Sequence, residues 1–219
     1  AKSTHKQLDW YPKSFEDYLK FISALIEKLR EQGCIAIKFN HAYWRDIAVD
    51  VVSEDEARNV FESKDTNPIR YKRLQDLLIR RMIAKAAQLD MPIQIHTGGI
   101  GPERSMEEGN PSCLDGFLWL PDLRQAKVVL LHGGYPFCRE AGFMVSRMWN
   151  QRKTCLDISW MGWGHFSSPN ALVGILREWL EMGIVRRLIY GSDAGNPHQL
   201  WMSAMNMREA LCLALRGMM

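Results

Sequence analysis

The chain has 219 residues, 47% of them hydrophobic, and a formal net charge of only +3. That length and composition allow a full-sized hydrophobic core, and one large domain covering residues 1–219 is the better expectation than two small ones. The longest apolar runs, such as 171–176, are cut by Arg177 and Glu178 far short of the roughly 20 residues that cross a bilayer, so no membrane is expected. The basic pairs Lys72-Arg73, Arg80-Arg81 and Arg186-Arg187 are scattered rather than set in a stripe, which argues against nucleic acid as a partner. Five cysteines without C-x-x-C spacing, mostly among apolar neighbours, fit reduced thiols in the cytoplasm. The chain begins at Ala1 without a methionine and stops at Met219 inside a helical pattern, so the expectation is a piece of a longer chain.

In chain order, Ser14 is placed to cap a helix whose apolar positions Phe15, Leu19, Ile22, Ile26 and Leu29 recur at steps of four and three, and Gly33 closes it. A short apolar strand over 34–39 follows, with Lys38 at its end, and then a polar and aromatic loop through Asp50. Ser53 to Glu56 is a capping-box pattern that opens a short helix, and Pro68 opens a longer one over 69–89. Four more apolar strands end on polar residues: 92–95 on His96, 127–131 on His132, 154–158 on Ser159, and 187–190 on Gly191-Ser192-Asp193. Helical stretches follow them at 111–120, 137–149, 170–182 and 199–216.

Short, nearly continuous apolar strands alternating with amphipathic helices predict an α/β fold with a parallel sheet buried on both faces. An open doubly wound sheet has the same alternation. No Gly-rich phosphate fingerprint follows the first strand, however, and polar residues sit at the ends of nearly all the strands, which favours a (β/α)8 TIM-type barrel whose strand ends converge on one mouth. Five units cannot close such a barrel, so three preceding strands are expected outside the chain.

His96 and His132 share a layout: an apolar strand, one histidine at its end, then small residues that let the chain turn. A buried, neutral imidazole is a good zinc ligand, and two in register suggest one metal site. Asp193 adds a carboxylate to the same rim, able to hold metal through one oxygen and take a proton from water through the other. The competing reading makes Asp193 the cap of the helix near Pro197. A lysine entering a barrel mouth is costly to bury unpaired, so Lys38 would bind a substrate carboxylate, become a carboxylated metal ligand, or snorkel to solvent. Tyr43, Arg45 and Arg139 are candidates to orient an anionic substrate, with surface ion pairs as the alternative. His165, in the aromatic-rich segment 160–166, is a candidate lid or substrate-contact residue. Trp201, Met202, Met205 and Met207 read as helix packing.

Six ordered blocks carry a resemblance: Ile37-Lys38 with Ala42-Tyr43-Trp44-Arg45; Gln94-Ile95-His96-Thr97-Gly98; Asn110-Pro111; 129–137 with Arg139-Glu140-Ala141; Leu156-Asp157-Ile158-Ser159; and Gly191-Ser192-Asp193-Ala194. Together they resemble the amidohydrolase-related branch of the amidohydrolase superfamily, in particular the amidohydrolase domain fused to glutamine-synthetase-like proteins. The resemblance implies a (β/α)8 barrel with divalent metal at its mouth. It puts Lys38 on the fourth strand, His96 on the fifth, His132 on the sixth and Asp193 on the eighth. Two departures stand out. The superfamily's His-x-His pair on the first strand is absent, since neither His5 nor any other histidine forms it, and it is expected upstream of Ala1. The loop 99–104 departs from the Gly-Phe-Gly-Asp of the nearest relatives, which leaves the substrate open.

The expected activity is hydrolysis of a carbonyl-linked C–N or C–O bond of a small-molecule substrate. One or two divalent ions, zinc first, would generate hydroxide, and Asp193 would shuttle the proton. Two alternatives stay open: a metal-dependent decarboxylase of the same superfamily, for which one metal and an unmodified Lys38 would speak, and a non-catalytic truncated barrel. Assembly into a homo-oligomer is likewise left open.

Overall fold

The computed structural model describes residues 12–99, 104–147, 153–166 and 168–218. The sequence features at His5 and at 100–103 lie outside them. Two compact units make up the chain.

The first comprises the described residues up to Ile37, together with Ala48–Ile93 and Gly116–Ala126. Its three helices are α1 (Phe15–Glu31), α2 (Glu54–Ser63) and α3 (Pro68–Gln88). Each starts where a side chain supplies the acceptor that the first turn lacks. Ser14 Oγ accepts from the Asp17 N–H (3.1 Å), Ser53 Oγ from the Glu56 N–H (3.2 Å), and Asn67 Oδ1 from the Ile69 N–H (3.1 Å). The apolar stripes of the three helices meet in a core of Phe15, Val52, Ala57, Val60, Leu74, Leu77 and Leu78. Within this unit Asp76, fully buried, accepts from Lys72 Nζ (2.9 Å) and from the Asp50 N–H (3.1 Å), so its charge is matched where water cannot reach.

The second unit, Lys38–Ile47, Gln94–Asp115 and the described residues from Lys127 onward, holds most of the sheet together with His96, His132 and Asp193. Among the described residues five strands are ordered β1 (Ile37–Phe39), β2 (Ile93–His96), β3 (Lys127–Leu131), β4 (Lys153–Asp157) and β5 (Leu188–Ile189), in sequence order across the sheet. β3 and β4 pair in parallel with Val128 opposite Thr154 and Leu130 opposite Leu156, and β4 and β5 pair in parallel with Asp157 opposite Ile189. A doubly wound sheet reverses its strand order at a switch point; consecutive order is what an arc of a (β/α) barrel has.

Three expectations need adjustment. The strand expected over 34–39 is regular only over Ile37–Phe39, and Ile35 is 75% exposed. β5 has just two residues, because Val185–Arg187 takes up a 3-10 turn and Tyr190, half exposed, no longer pairs; β5 is the last strand in the order, where pairing on one side alone shortens strands. The expected helix over 111–120 breaks into a 3-10 turn at Pro111–Leu114, a single α-turn at Asp115–Leu118 (α4) and another 3-10 turn at Pro121–Leu123. Gly116 weakens that segment and Pro121 cannot continue it. The remaining helices, α5 (Cys138–Arg147), α6 (Pro169–Glu181) and α7 (Pro197–Arg216), stand where the periodicity places them.

Candidate active site

His96 is the last residue of β2 and His132 directly follows β3, and both are 2% exposed. Their rings meet edge to face with centroids 4.6 Å apart, and His96 Nδ1 lies 3.2 Å from His132 Nε2. Burial, with the neighbouring His132 as a second cause, pushes the His96 imidazole down to about 4; burial also lowers His132. Both rings are therefore uncharged at neutral pH, with electron pairs to offer.

The turns after the strands are sharp. His132, Gly133 and Gly134 all have positive φ (66°, 62° and 66°), as do Trp160 (64°) and Asp193 (51°). Left-handed backbone at three non-glycine residues, each just beyond a strand, is the kind of local strain that concentrates at functional sites. Gly98 (φ 71°) fits because the Tyr135 carbonyl occupies the place of its Cβ; Gly98 and Gly99 donate their N–H groups to Gly109 O and Tyr135 O, both at 2.7 Å.

Asp193 is exposed on the loop after β5. It is not the cap of α7, since Asn196 takes that part by accepting from the Gln199 N–H at 3.0 Å. Its charge raises the affinity of His96 and His132 for protons and is a secondary cause, after burial, of the upward shift of Tyr43. Lys38, exposed on β1, acts on both imidazoles with the opposite sign. Lys38, His96, His132 and Asp193 thus share one electrostatic neighbourhood. Among the described residues no group of three His, Cys, Asp or Glu side chains is arranged to hold a metal ion; the two imidazoles form a pair.

Of the other expected residues, Tyr43 packs its ring on His96 (centroids 4.7 Å). The His165 ring packs at a tilt against both Tyr135 and Trp160, centroids 4.5 Å apart in each case, and Trp160 in turn meets His132 at 5.9 Å. The buried His165 Nε2 has no hydrogen-bond partner among the described residues. His165 ends a single π-helical turn, Met161–His165, tied down by Trp163 Nε1 to Ser192 O (2.7 Å) and by Asn206 Nδ2 to Gly162 O (2.8 Å). Arg45 donates from Nε to Asp46 O at 3.1 Å. Arg139 lies at the surface, 79% exposed, with Nε 2.5 Å from Glu178 on α6, so its guanidinium is spent on a helix–helix ion pair.

Two residues beside His132 belong to a block of the family resemblance to which the sequence assigns no role. Asp157 closes β4 and Ser159 follows two residues on; they are 7% and 5% exposed, and Ser159 Oγ lies 3.0 Å from His132 Nδ1. An acidic residue inside an otherwise apolar strand, two positions from a hydroxyl and hence on the same face, was the available signal.

Among solved structures the chain is similar to a Lactobacillus casei ATCC 334 protein whose crystal structure is described as that of a metal-dependent hydrolase, with a TM-score of 0.76 and 24% identity over 91% of this chain and 52% of that one. The likeness establishes a shared α/β fold. Among curated proteins it is similar to protein fluG of Emericella nidulans, 29% identical over 162 residues, or 71% of this chain and 18% of fluG. The chain therefore spans about half of the one relative and under a fifth of the other. The model of the amidohydrolase family matches residues 13–211, and the chain belongs to that family.

Proposed function

We propose that this chain is part of a metal-dependent hydrolase acting on a carbonyl-linked C–N or C–O bond. The observation that carries the reading is the imidazole pair, with His96 Nδ1 and His132 Nε2 facing each other at 3.2 Å. Two nitrogens bound about 2.0–2.1 Å from one tetrahedral ion stand roughly 3.3 Å apart, so the pair is spaced as adjacent corners of such a site. Neutral nitrogen donors beside a carboxylate suit zinc. His96 and His132 would hold the ion, with Asp193 and, if carboxylated, Lys38 as further ligands. When bound, a divalent ion makes water nucleophilic at neutral pH and polarises a substrate carbonyl.

The chain's own residues do the rest. The Asp193 carboxylate accepts the proton that water gives up and returns it to the leaving nitrogen or oxygen. An unmodified Lys38 ammonium, and Arg45, would orient an anionic part of the substrate. Tyr43, with the His165, Tyr135 and Trp160 rings, would line the approach to the two imidazoles, and His165 Nε2 would offer one polar contact there. Arg139, paired with Glu178, has no part in this reaction. Five cysteines outside any disulfide support a cytoplasmic setting.

The test uses the longest natural polypeptide containing this chain, loaded with zinc, and a panel of amide and ester substrates. Asp193→Asn should keep zinc, measured by atomic emission, and lose turnover by about 100-fold or more. Turnover like that of the wild type would refute the proton-shuttle role, and failure of the wild type to bind zinc would refute the metal reading.

A further inference from the structure

We propose that Ser159 and Asp157 form a relay that fixes which nitrogen of the His132 ring carries the proton, leaving Nε2 bare toward His96. The inference deepens the metal reading above and rests on it for its purpose, though not for its geometry.

Asp157 Oδ1 accepts from the Ser159 N–H (3.0 Å), lies 3.5 Å from the His132 backbone nitrogen, and accepts the Ser159 hydroxyl. A carboxylate only accepts, and a hydroxyl has one proton to give. With that proton committed to Asp157, Ser159 Oγ presents only electron pairs to His132 Nδ1, 3.0 Å away. The contact closes as a hydrogen bond only if Nδ1 carries the proton, so the direction runs from Nδ1–H to Oγ and from Oγ–H to Oδ1. Nε2 is then the bare nitrogen, the one that faces His96 Nδ1.

The surroundings leave the relay little freedom. Asp157 and Ser159 lie on one face of the β4 end and are almost fully buried. Behind Asp157 the Gly191 backbone comes so near that a Cβ there would stand 2.9 Å from Oδ2. A histidine ring held by a hydroxyl and carboxylate behind it is oriented as well as tautomerically fixed, and loss of such partners typically weakens metal binding about 10- to 100-fold. Ser159 and Asp157 are thus positioning residues that act through His132. Neither is proposed to touch substrate.

The experiment reads the tautomer and the affinity separately. Long-range 1H–15N correlation spectra of the metal-free protein, labelled in histidine, should show His132 protonated at Nδ1. Ser159→Ala removes one of two acceptors beside His132, the backbone carbonyl at 159 remaining, and should raise the share of the Nε2–H tautomer and raise the zinc dissociation constant, measured by chelator competition, about 10-fold or more. Asp157→Asn keeps a carbonyl oxygen where Oδ1 stands and should retain the Nδ1–H form, with affinity within about threefold of wild type. Asp157→Ala frees the serine hydroxyl to donate and should move the proton to Nε2; circular dichroism checks that each variant is folded. Protonation at Nε2 in the wild type, or a Ser159→Ala protein with unchanged tautomer and affinity, would overturn the relay. Absence of zinc binding by the wild type would defeat the metal reading alone, and the tautomer shifts would still support the relay.

Discussion

His132 does several jobs whose requirements conflict, and its surroundings resolve the conflict. It ends an apolar strand, turns the backbone into left-handed space at φ 66° and keeps its ring almost fully buried. Left-handed backbone at a non-glycine residue costs on the order of 1 kcal/mol, and it persists because Gly133 and Gly134 continue the turn and Ser159 holds the ring. Burial acts on other titratable groups in the same way. Cys138, on α5, has its thiol pushed up to about 12, first by burial and then by the charges of Glu140 and Glu178. The thiolate is the reactive form, so at pH 8 Cys138 should resist iodoacetamide in the folded protein and react once urea unfolds it. The exposed Cys212 should be labelled from the start, as peptide mass mapping would show; early labelling of Cys138 would contradict its placement.

At the scale of elements, the helices of the second unit are held by a few large contacts. Trp179 of α6 is fully buried, donates from Nε1 to Cys138 O of α5 at 2.9 Å, and occupies the space left by Gly142 and Gly133. Both glycines lack a Cβ where the indole lies, which is why α5 and the turn after β3 can approach it. Trp179→Ala removes the buried ring and its hydrogen bond to Cys138 O, and should lower unfolding stability by about 3–5 kcal/mol in urea titrations. A loss below about 1 kcal/mol would mean that the indole does not clamp α5 to α6. The capping residues were readable beforehand: Ser14, Ser53 and Pro68 stand where the spacing puts them. The cap of α7 was not, because both Asp193 and Asn196 precede Pro197 and only geometry chooses between them.

For the whole molecule, a metal that binds the folded chain and not the unfolded one must stabilise it by mass action. At zinc concentrations about 100 times the dissociation constant the gain is about 2.7 kcal/mol. The melting temperature should therefore rise with added zinc and fall back with EDTA, and His96→Ala or His132→Ala should abolish the rise. A melting curve indifferent to zinc would count against the proposed site. Among the described residues no helix is long and apolar enough to cross a membrane.

The alternation of apolar strands and amphipathic helices, the small residues after His96 and His132, and the ordered blocks of family resemblance are local properties of the chain, and local chemistry was enough to read them. His96 at the end of β2 and His132 just after β3 come together because β2 and β3 are neighbours in the sheet, in the sequence order that the alternating pattern leads one to expect. Which nitrogen faces which, that Asp157 and Ser159 stand behind His132, and that Arg139 turns to Glu178 instead of the pocket were decided by tertiary structure alone. Those outcomes depend on side-chain orientation and on residues 25 to 39 positions apart meeting in space, and no periodicity or spacing along one chain encodes a distance of that kind.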